Sequence, residues 1–427
     1  MWIQTETFAL ILAVSAFCTT FEDGLLAAPS DQNQDFADVI RKLESEEPTS
    51  RAAAKQSLEM RCKLAIDSKN VKVKRALSKT LLETIARDEL KLSTRIALLD
   101  FLPRVASYEA VRPVALLLSS KRDPGLRDAA RQALEDLPVV TALKPLREAL
   151  DSARGEFRLA IIQSLGKRQD SLAVGKLLPL AEGENPAVRL VSLGALAEIG
   201  DRSAFDTIET AVNNTTPENR ESILTSYTRF AWRLRETREG GASRRIFLRL
   251  CTMESRWSLE GVGGLAKAGV KKDLPVLLSL LDRNTDTDSE KAPEMRKACL
   301  DALKELRGAG KALGAVILDP ETAVARRQDL LGVLAARKDV MKATKAIVQS
   351  ATDVAAEVRM ASIHALVKLD VDTAGEALIK LALDSTLTVR HEATKALRDW
   401  KAEGAREFLK EKAKASEELR KLLESQP

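Results

Sequence analysis

The residues able to do chemistry are few and scattered. The chain holds two histidines, His364 and His391, and four cysteines. The pair His391-Glu392 sets an imidazole beside a carboxylate, a donor set that suits a metal. A centre built from such pairs needs several of them. The equivalent positions elsewhere carry Met360-Ala361, Leu190-Val191, Leu159-Ala160 and Asp128-Ala129, which cannot complete one. The run Gly261-Val262-Gly263-Gly264-Leu265-Ala266 has the GxGxxA spacing of a pyrophosphate cradle, but no strand pattern precedes it, and that chemistry needs strand, turn and helix in order. Residues 282–290 alternate acids as a calcium loop does. Thr287 stands where the turn needs glycine, and Pro293 where the bidentate glutamate belongs, so the segment reads as a solvated linker. GxxxxGK[ST], HExxH, GxSxG and CxxC are all absent from the sequence. The chain is read as no enzyme, with no cofactor and no metal.

One concentration of reactive surface remains. Between Arg229 and Arg256 stand eight arginines against three glutamates, interleaved with Phe230, Trp232 and Phe247 and flanked by Tyr227 and Trp257. Arginine with aromatic residues is the composition of protein hot spots and of anion grooves. The candidate binding residues are Arg229, Trp232, Arg233, Arg235, Arg238, Arg244, Arg245, Arg249 and Trp257. The competing expectation is that the aromatics fill an enlarged core and the arginines are merely solvated.

The elements that would position these residues are written in a period. Arg127, Arg158, Arg189 and Arg220 stand 31 residues apart, and Arg296, Arg327, Arg359 and Arg390 stand 31, 32 and 31 apart. Seven residues after each arginine comes a leucine, as in Leu134, Leu165, Leu196 and Leu366, with Tyr227 as the exception. Offsets +2, +3 and +6 are small or apolar, so an amphipathic helix with a narrow buried stripe at +2, +3, +6 and +7 is expected. Proline three residues before the arginine, at Pro48, Pro124, Pro186, Pro217 and Pro293, marks the helix start, with Asp123, Asn185 and Thr216 as N-caps. A second apolar helix precedes each of these. Such units are too small to bury their own faces and must stack. Six residues before the arginine an acid recurs, at Glu89, Glu290, Glu321, Asp353 and Asp384. The eight arginines are therefore expected to form a structural ladder of charge-assisted hydrogen bonds rather than a row of ligand contacts. Between Arg220 and Arg296 the period stretches by two insertions of seven residues, the first around 232–249, and such insertions usually map to loops on one face.

These units, x-P-x-[VL]-R-x-x-[AS]-x-x-A-L, resemble HEAT repeats, in particular the short HEAT-like repeats of phycobilin lyases. Gly125 through Leu134, Ala187 through Leu196, Glu357 through Leu366 and Thr388 through Leu397 carry the resemblance, which covers about 48–400. It implies an all-α fold, an α-solenoid of stacked helix–turn–helix units, most often a scaffold for a protein partner. The Val389-Arg390-His391-Glu392-Ala393 segment also resembles the His-Glu motif of deoxyhypusine hydroxylase, whose di-iron centre the missing pairs exclude. A polyanion or nucleic-acid binder using the same basic segment is the alternative. A lyase-like accessory enzyme follows from the family resemblance alone.

The expected organisation is a signal peptide over 1–28, an irregular helical N-terminal cap over 29–90, the repeats over 91–400 and a C-terminal capping helix over 401–427. The apolar run Phe8 to Phe17 is too short to span a bilayer and resembles the core of an export signal, although no Lys or Arg precedes it. Export to the periplasm or outside the cell is therefore expected, with a cytoplasmic location as the alternative. Removing 1–28 moves the net charge from +5 to +8, too mild over this length to imply nucleic acid. Cys62, Cys251 and Cys299 are widely spaced among apolar residues and read as buried thiols rather than a disulfide framework.

Overall fold

Proline and arginine between them fix where each repeat begins. The computed structural model describes residues 29–120, 123–253, 256–283 and 292–424. The expected export segment 1–28 lies outside these, as do residues 284–291 of the acidic linker and its flank. The chain forms two compact units, Met1–Thr207 and Ile208–Pro427.

In the first unit the described helices are α1 (Pro29–Leu43), α2 (Pro48–Asp67), α3 (Val71–Ile85), α4 (Leu92–Val105), α5 (Val111–Leu117), α6 (Pro124–Asp136), α7 (Leu143–Ser152), α8 (Gly155–Lys167), α9 (Val174–Glu182) and α10 (Pro186–Ile199). The arginine-bearing helices α4, α6, α8 and α10 pack each on the next. The helix α11 (Phe205–Asn213) carries the chain into the second unit. There follow α12 (Arg220–Glu236), α13 (Gly240–Cys251), α14 (Arg256–Ala268), α15 (Leu274–Arg283), α16 (Ala292–Glu305), α17 (Gly310–Leu318), α18 (Val324–Ala335), α19 (Thr344–Ser350), α20 (Ala356–Leu366), α21 (Val371–Ala382), α22 (Leu387–Arg398), α23 (Ala405–Ala415) and α24 (Glu417–Glu424). Here α14, α16, α18, α20 and α22 form the corresponding stack. Among the described residues there is no strand, and each unit is an α-solenoid of helix pairs. No described helix is long and apolar enough to cross a membrane.

The helix starts follow the expected chemistry in part. Pro48, Pro124 and Pro186 open their helices, and the Asn185 side chain accepts from the Val188 N–H at 3.1 Å. Asp123 makes no side-chain cap. Thr216 is not a cap at all: α12 begins at Arg220, and the chain through Pro217 is a turn instead.

The buried stripe is displaced from the one expected. Offsets +3 and +7 are buried in every copy from Arg95 to Arg390, as in Leu98 and Leu102 or Ile161 and Leu165. Offset +2 stays half-buried or exposed, while +4, as in Leu99, Ile162, Leu193, Leu331 and Ile363, is buried. Small residues set the spacing between helices. A Cβ on Gly166 of α8 would lie 2.7 Å from the Ala195 Cα of α10, so glycine is what lets these helices touch backbone to backbone. The single expected C-terminal helix is broken at Ser416 into α23 and α24, with Leu419 buried beneath.

Arginine stitches the stack in two directions. The aligned arginines donate to main-chain carbonyls about six residues back: Arg189 to Gly183 at 3.1 Å, Arg359 to Asp353 at 2.9 Å and Arg390 to Asp384 at 3.0 Å. At the helix that lacks the arginine, the Ser258 hydroxyl takes over, donating to the Cys251 carbonyl at 3.3 Å. The carboxylate rung differs from the expected one, because Arg296, Arg327 and Arg359 reach an acid of the following repeat. Arg359 pairs with Asp384 through Nε at 2.7 Å and Nη2 at 2.9 Å, Arg327 pairs with Asp353, and Arg296 with Asp329 at 2.5 Å. The rung is not universal: Arg127 stacks over the Phe157 ring at 4.1 Å, and Arg220 is exposed. In Arg127, Arg158 and Arg327 the Nε is buried without a hydrogen-bond partner.

A second set of arginines, ten or eleven residues after the aligned one, points backward. Arg168 donates to the carbonyls of Glu135 and Leu137, each at 2.6 Å, at the end of α6. Arg337 donates to Leu303 at 2.5 Å, Lys304 at 3.0 Å and Leu306 at 2.8 Å, at the end of α16. Arg307 reaches Ala268 and Gly269 at 3.4 Å after α14. Each cation satisfies orphan carbonyls and lies at the negative end of a helix dipole.

Candidate functional site

The first insertion is built as helix rather than as a loop. α12 runs for 17 residues where α10 has 14 and α8 has 13, and α13 runs for 12 where α9 has 9. α12 is thus about a turn longer than α10 or α8, and α13 about a turn longer than α9. The extra length is stabilised from within by aromatic packing. Tyr227, Phe230 and Phe247 are fully buried, and Trp257 on α14 is buried as well. Half-buried Trp232 meets the Phe247 ring edge-on at 5.0 Å and 62°. Glycines on α14 make room for this: a Cβ on Gly261 would lie 2.6 Å from the Cys251 amide nitrogen, and one on Gly264 would fall on the Phe247 ring. The GxGxxA spacing is therefore a helix-packing device on α14, whose own backbone is helical throughout.

The arginines divide into two groups. Arg244 donates through Nε to Asp273 at 2.8 Å and through Nη2 to its other oxygen; Asp273 is 1% exposed, so this pair is a buried brace between α13 and the turn before α15. Arg249 donates to Glu209 at 3.0 Å and to Asn213 at 2.5 Å, and lies 5.8 Å over the Tyr227 ring. The Tyr227 hydroxyl donates to the same Glu209 at 3.1 Å, and burial, with the Glu209 charge beside it, pushes that hydroxyl well above the usual phenol range. Arg233 pairs with Glu236, and Arg256 with Glu221 while lying 4.2 Å over the Trp257 ring. Arg245 reaches Glu209 only at 3.9 Å and is exposed. Arg229, Arg235 and Arg238 are exposed as well, and the last two have no side-chain partner among the described residues. Arg238 has φ of 68° in the connection between α12 and α13.

The nine candidates are thus not one face. Trp257 is spent in the core, Arg244 and Arg249 in bracing it, and the solvent-facing set is Arg229, Arg235, Arg238 and Arg245, with Trp232 at its edge. Sequence composition counted all eight arginines as surface charge because it cannot see Asp273 and Glu209 arriving from neighbouring helices.

The other chemistry stays dispersed. Among the described residues no three of His, Cys, Asp and Glu are placed to hold a metal. His391 and His364 are both exposed, and Asp282, the described acid of the acidic linker, pairs with Arg326. The thiols are free and buried; burial pushes Cys251 and Cys299 up to about 12 and Cys62 up to about 11. One feature the sequence reading missed is a cavity of about 260 Å³ between α20 and α22, lined by His364, Lys395 and Trp400 among others. Its only sequence signal is an isolated tryptophan directly after a repeat helix.

Comparison with known proteins places the repeats. Residues 143–227 match the family model for HEAT repeats. The HEAT-repeat resemblance is borne out. No curated protein matches the sequence. Among solved structures, the chain is similar to the karyopherin Kap121p bound to the extreme C-terminus of the protein phosphatase Cdc14p, at 14% identity and a TM-score of 0.46, covering 99% of this chain and 52% of that one. Kap121p bound to Nup53p gives 14% and 0.48, over 96% and 50%. Importin beta gives 11% and 0.39, over 91% and 66%. The chain spans about half the length of the Kap121p chains it matches.

Proposed function

We propose that this HEAT-repeat chain is a non-enzymatic scaffold that binds a protein partner through the exposed face of its arginine-bearing helices, the concave face expected of a solenoid, and through the basic segment 227–257. The observation that carries this reading is the lengthened pair α12–α13, which turns Arg229, Arg235, Arg238 and Arg245 to solvent after its aromatics and remaining arginines are consumed in packing. Internal pairing of Arg233, Arg244, Arg249 and Arg256 with acids lowers the field a polyanion would meet, which favours a protein surface with a few placed carboxylates. Arg235→Glu with Arg238→Glu tests this. Both side chains are exposed, so stability should stay within about 0.5 kcal/mol, while a partner captured by the wild type should be lost. Unchanged capture would refute the site.

The polyanion alternative uses the same arginines and predicts binding to heparin or DNA that weakens steeply with salt. A lyase-like activity rests on family resemblance alone. We propose also that the chain is exported, which sequencing the N-terminus of the protein recovered from its native compartment tests: an N-terminus near residue 29 supports export, and an intact residue 1 argues for the cytoplasm.

A further inference from the structure

Where the repeats give way to the C-terminal cap, α20 and α22 leave the cavity of about 260 Å³ open between their solvent-facing edges. It lies on the same register in both helices. His364 and Lys368 stand at offsets +5 and +9 from Arg359, and Glu392, Lys395 and Asp399 at +2, +5 and +9 from Arg390. The floor is apolar: Ile363 is fully buried, and Val367 and Ala396 are half-buried. The wall is Trp400, 6% exposed, whose indole Nε1–H is buried with no hydrogen-bond partner. At the rim Lys368, Lys395 and Lys401 are exposed and in no ion pair among the described residues. Glu392 and Asp399 offset two of these charges, which leaves the rim cationic. The volume is below the roughly 300–1,000 Å³ of cofactor and drug-sized pockets, so it suits a single side chain or chain end.

We infer that this cavity is a subsite for a carboxylate carried on a short apolar stem, supplied by a peptide. The stem lies on Ile363, Val367 and Ala396, and the carboxylate takes the lysine ammonium groups at the rim, beside the Trp400 wall. This rests on the reading of the chain as a protein-binding scaffold and names the chemistry that one part of that face selects. A carboxylate of this kind comes either from a peptide C-terminus or from an acidic side chain.

The test uses the full chain labelled with ¹⁵N, with the Trp400 indole resonance assigned by its loss in Trp400→Phe. Titration with N-acetyl-leucine should move that resonance saturably while the Trp232 and Trp257 resonances hold. N-acetyl-leucinamide, with the same stem and no charge, should bind about tenfold or more weakly. N-acetyl-glutamic acid α-amide carries only a side-chain carboxylate: a stronger response to it assigns an acidic side chain, and a stronger response to N-acetyl-leucine assigns a chain end. Lys395→Glu with Lys401→Glu, at exposed positions, should abolish the response to both acids while the other indole resonances stay in place. A Trp400 resonance that does not move with either acid, or moves equally with the neutral amide, overturns the subsite. Neither result bears on the scaffold reading, which stands on partner capture by the Arg235 and Arg238 variants.

Discussion

Two glycines on α14 make a matched experiment, because the same substitution meets different surroundings on one helix. Replacing a helical glycine by alanine is worth about 1 kcal/mol in backbone entropy. At Gly263 nothing lies within 4 Å of the added methyl, so Gly263→Ala should stabilise the chain by about 0.5–1 kcal/mol. At Gly261 the methyl would lie 2.6 Å from the Cys251 nitrogen and 2.8 Å from the Phe247 carbonyl oxygen. Both obstacles are main chain and cannot turn aside, so α13 and α14 must separate. Overpacking of this kind costs about 1–3 kcal/mol, and a rigid obstacle takes the upper half of that range. Set against the propensity gain, Gly261→Ala should destabilise by about 1–2 kcal/mol, so the two variants differ by about 2–3 kcal/mol. Equilibrium urea unfolding gives the two midpoints, and hydrogen exchange on peptides from α13 and α14 locates the change. Shifts of the same sign and size would refute the claim that these glycines exist to bring the two helices together. They would also reopen the question of what else Gly261 and Gly264 are for.

Two further outcomes follow from titratable groups. Arg359, by its hydrogen bonds to Asp384, holds that carboxyl below its ordinary range, so the pair's stabilisation is complete above about pH 4 and is lost as pH falls through the lowered folded value. Asp384→Asn should therefore be less stable than wild type at pH 7 and show a shallower loss below pH 4 in urea midpoints; parallel curves would refute the pairing. The raised Cys62, Cys251 and Cys299 thiols should resist iodoacetamide at pH 8 in the folded chain and react in urea, read by mass spectrometry, whereas rapid labelling of folded Cys251 would contradict its burial.

The sequence made the repeat legible because its signals are redundant. Arginine, leucine at +7 and proline at the start each mark the same helix, and an error in one is corrected by the others. The buried stripe was harder to place, since the alanines that occupy +2 tolerate water and packing equally. Offset +4 shows its burial only through the larger residues Leu99, Ile162 and Leu331. The basic segment defeated composition for another reason. Whether Arg244 and Arg249 are surface charge depends on Asp273 and Glu209, which lie 29 and 40 residues away in the chain. The Trp400 wall had no periodic signal at all, because it stands just past the last repeat helix, where the period ends.

The two sets of arginines also have a direction in time. Arg168, Arg307 and Arg337 bind carbonyls of chain already made, so a helix leaving the ribosome can seat itself at once on its predecessor. Arg327 and Arg359 must wait for carboxylates 26 and 25 residues further on. At about 5–20 residues per second that wait is on the order of 1–5 s, during which the newest repeat is docked but not locked. In the second unit Arg296, Arg327 and Arg359 are thereby locked in turn by chain made later, whereas Arg390 holds only the carbonyl of Asp384, already made when α22 emerges.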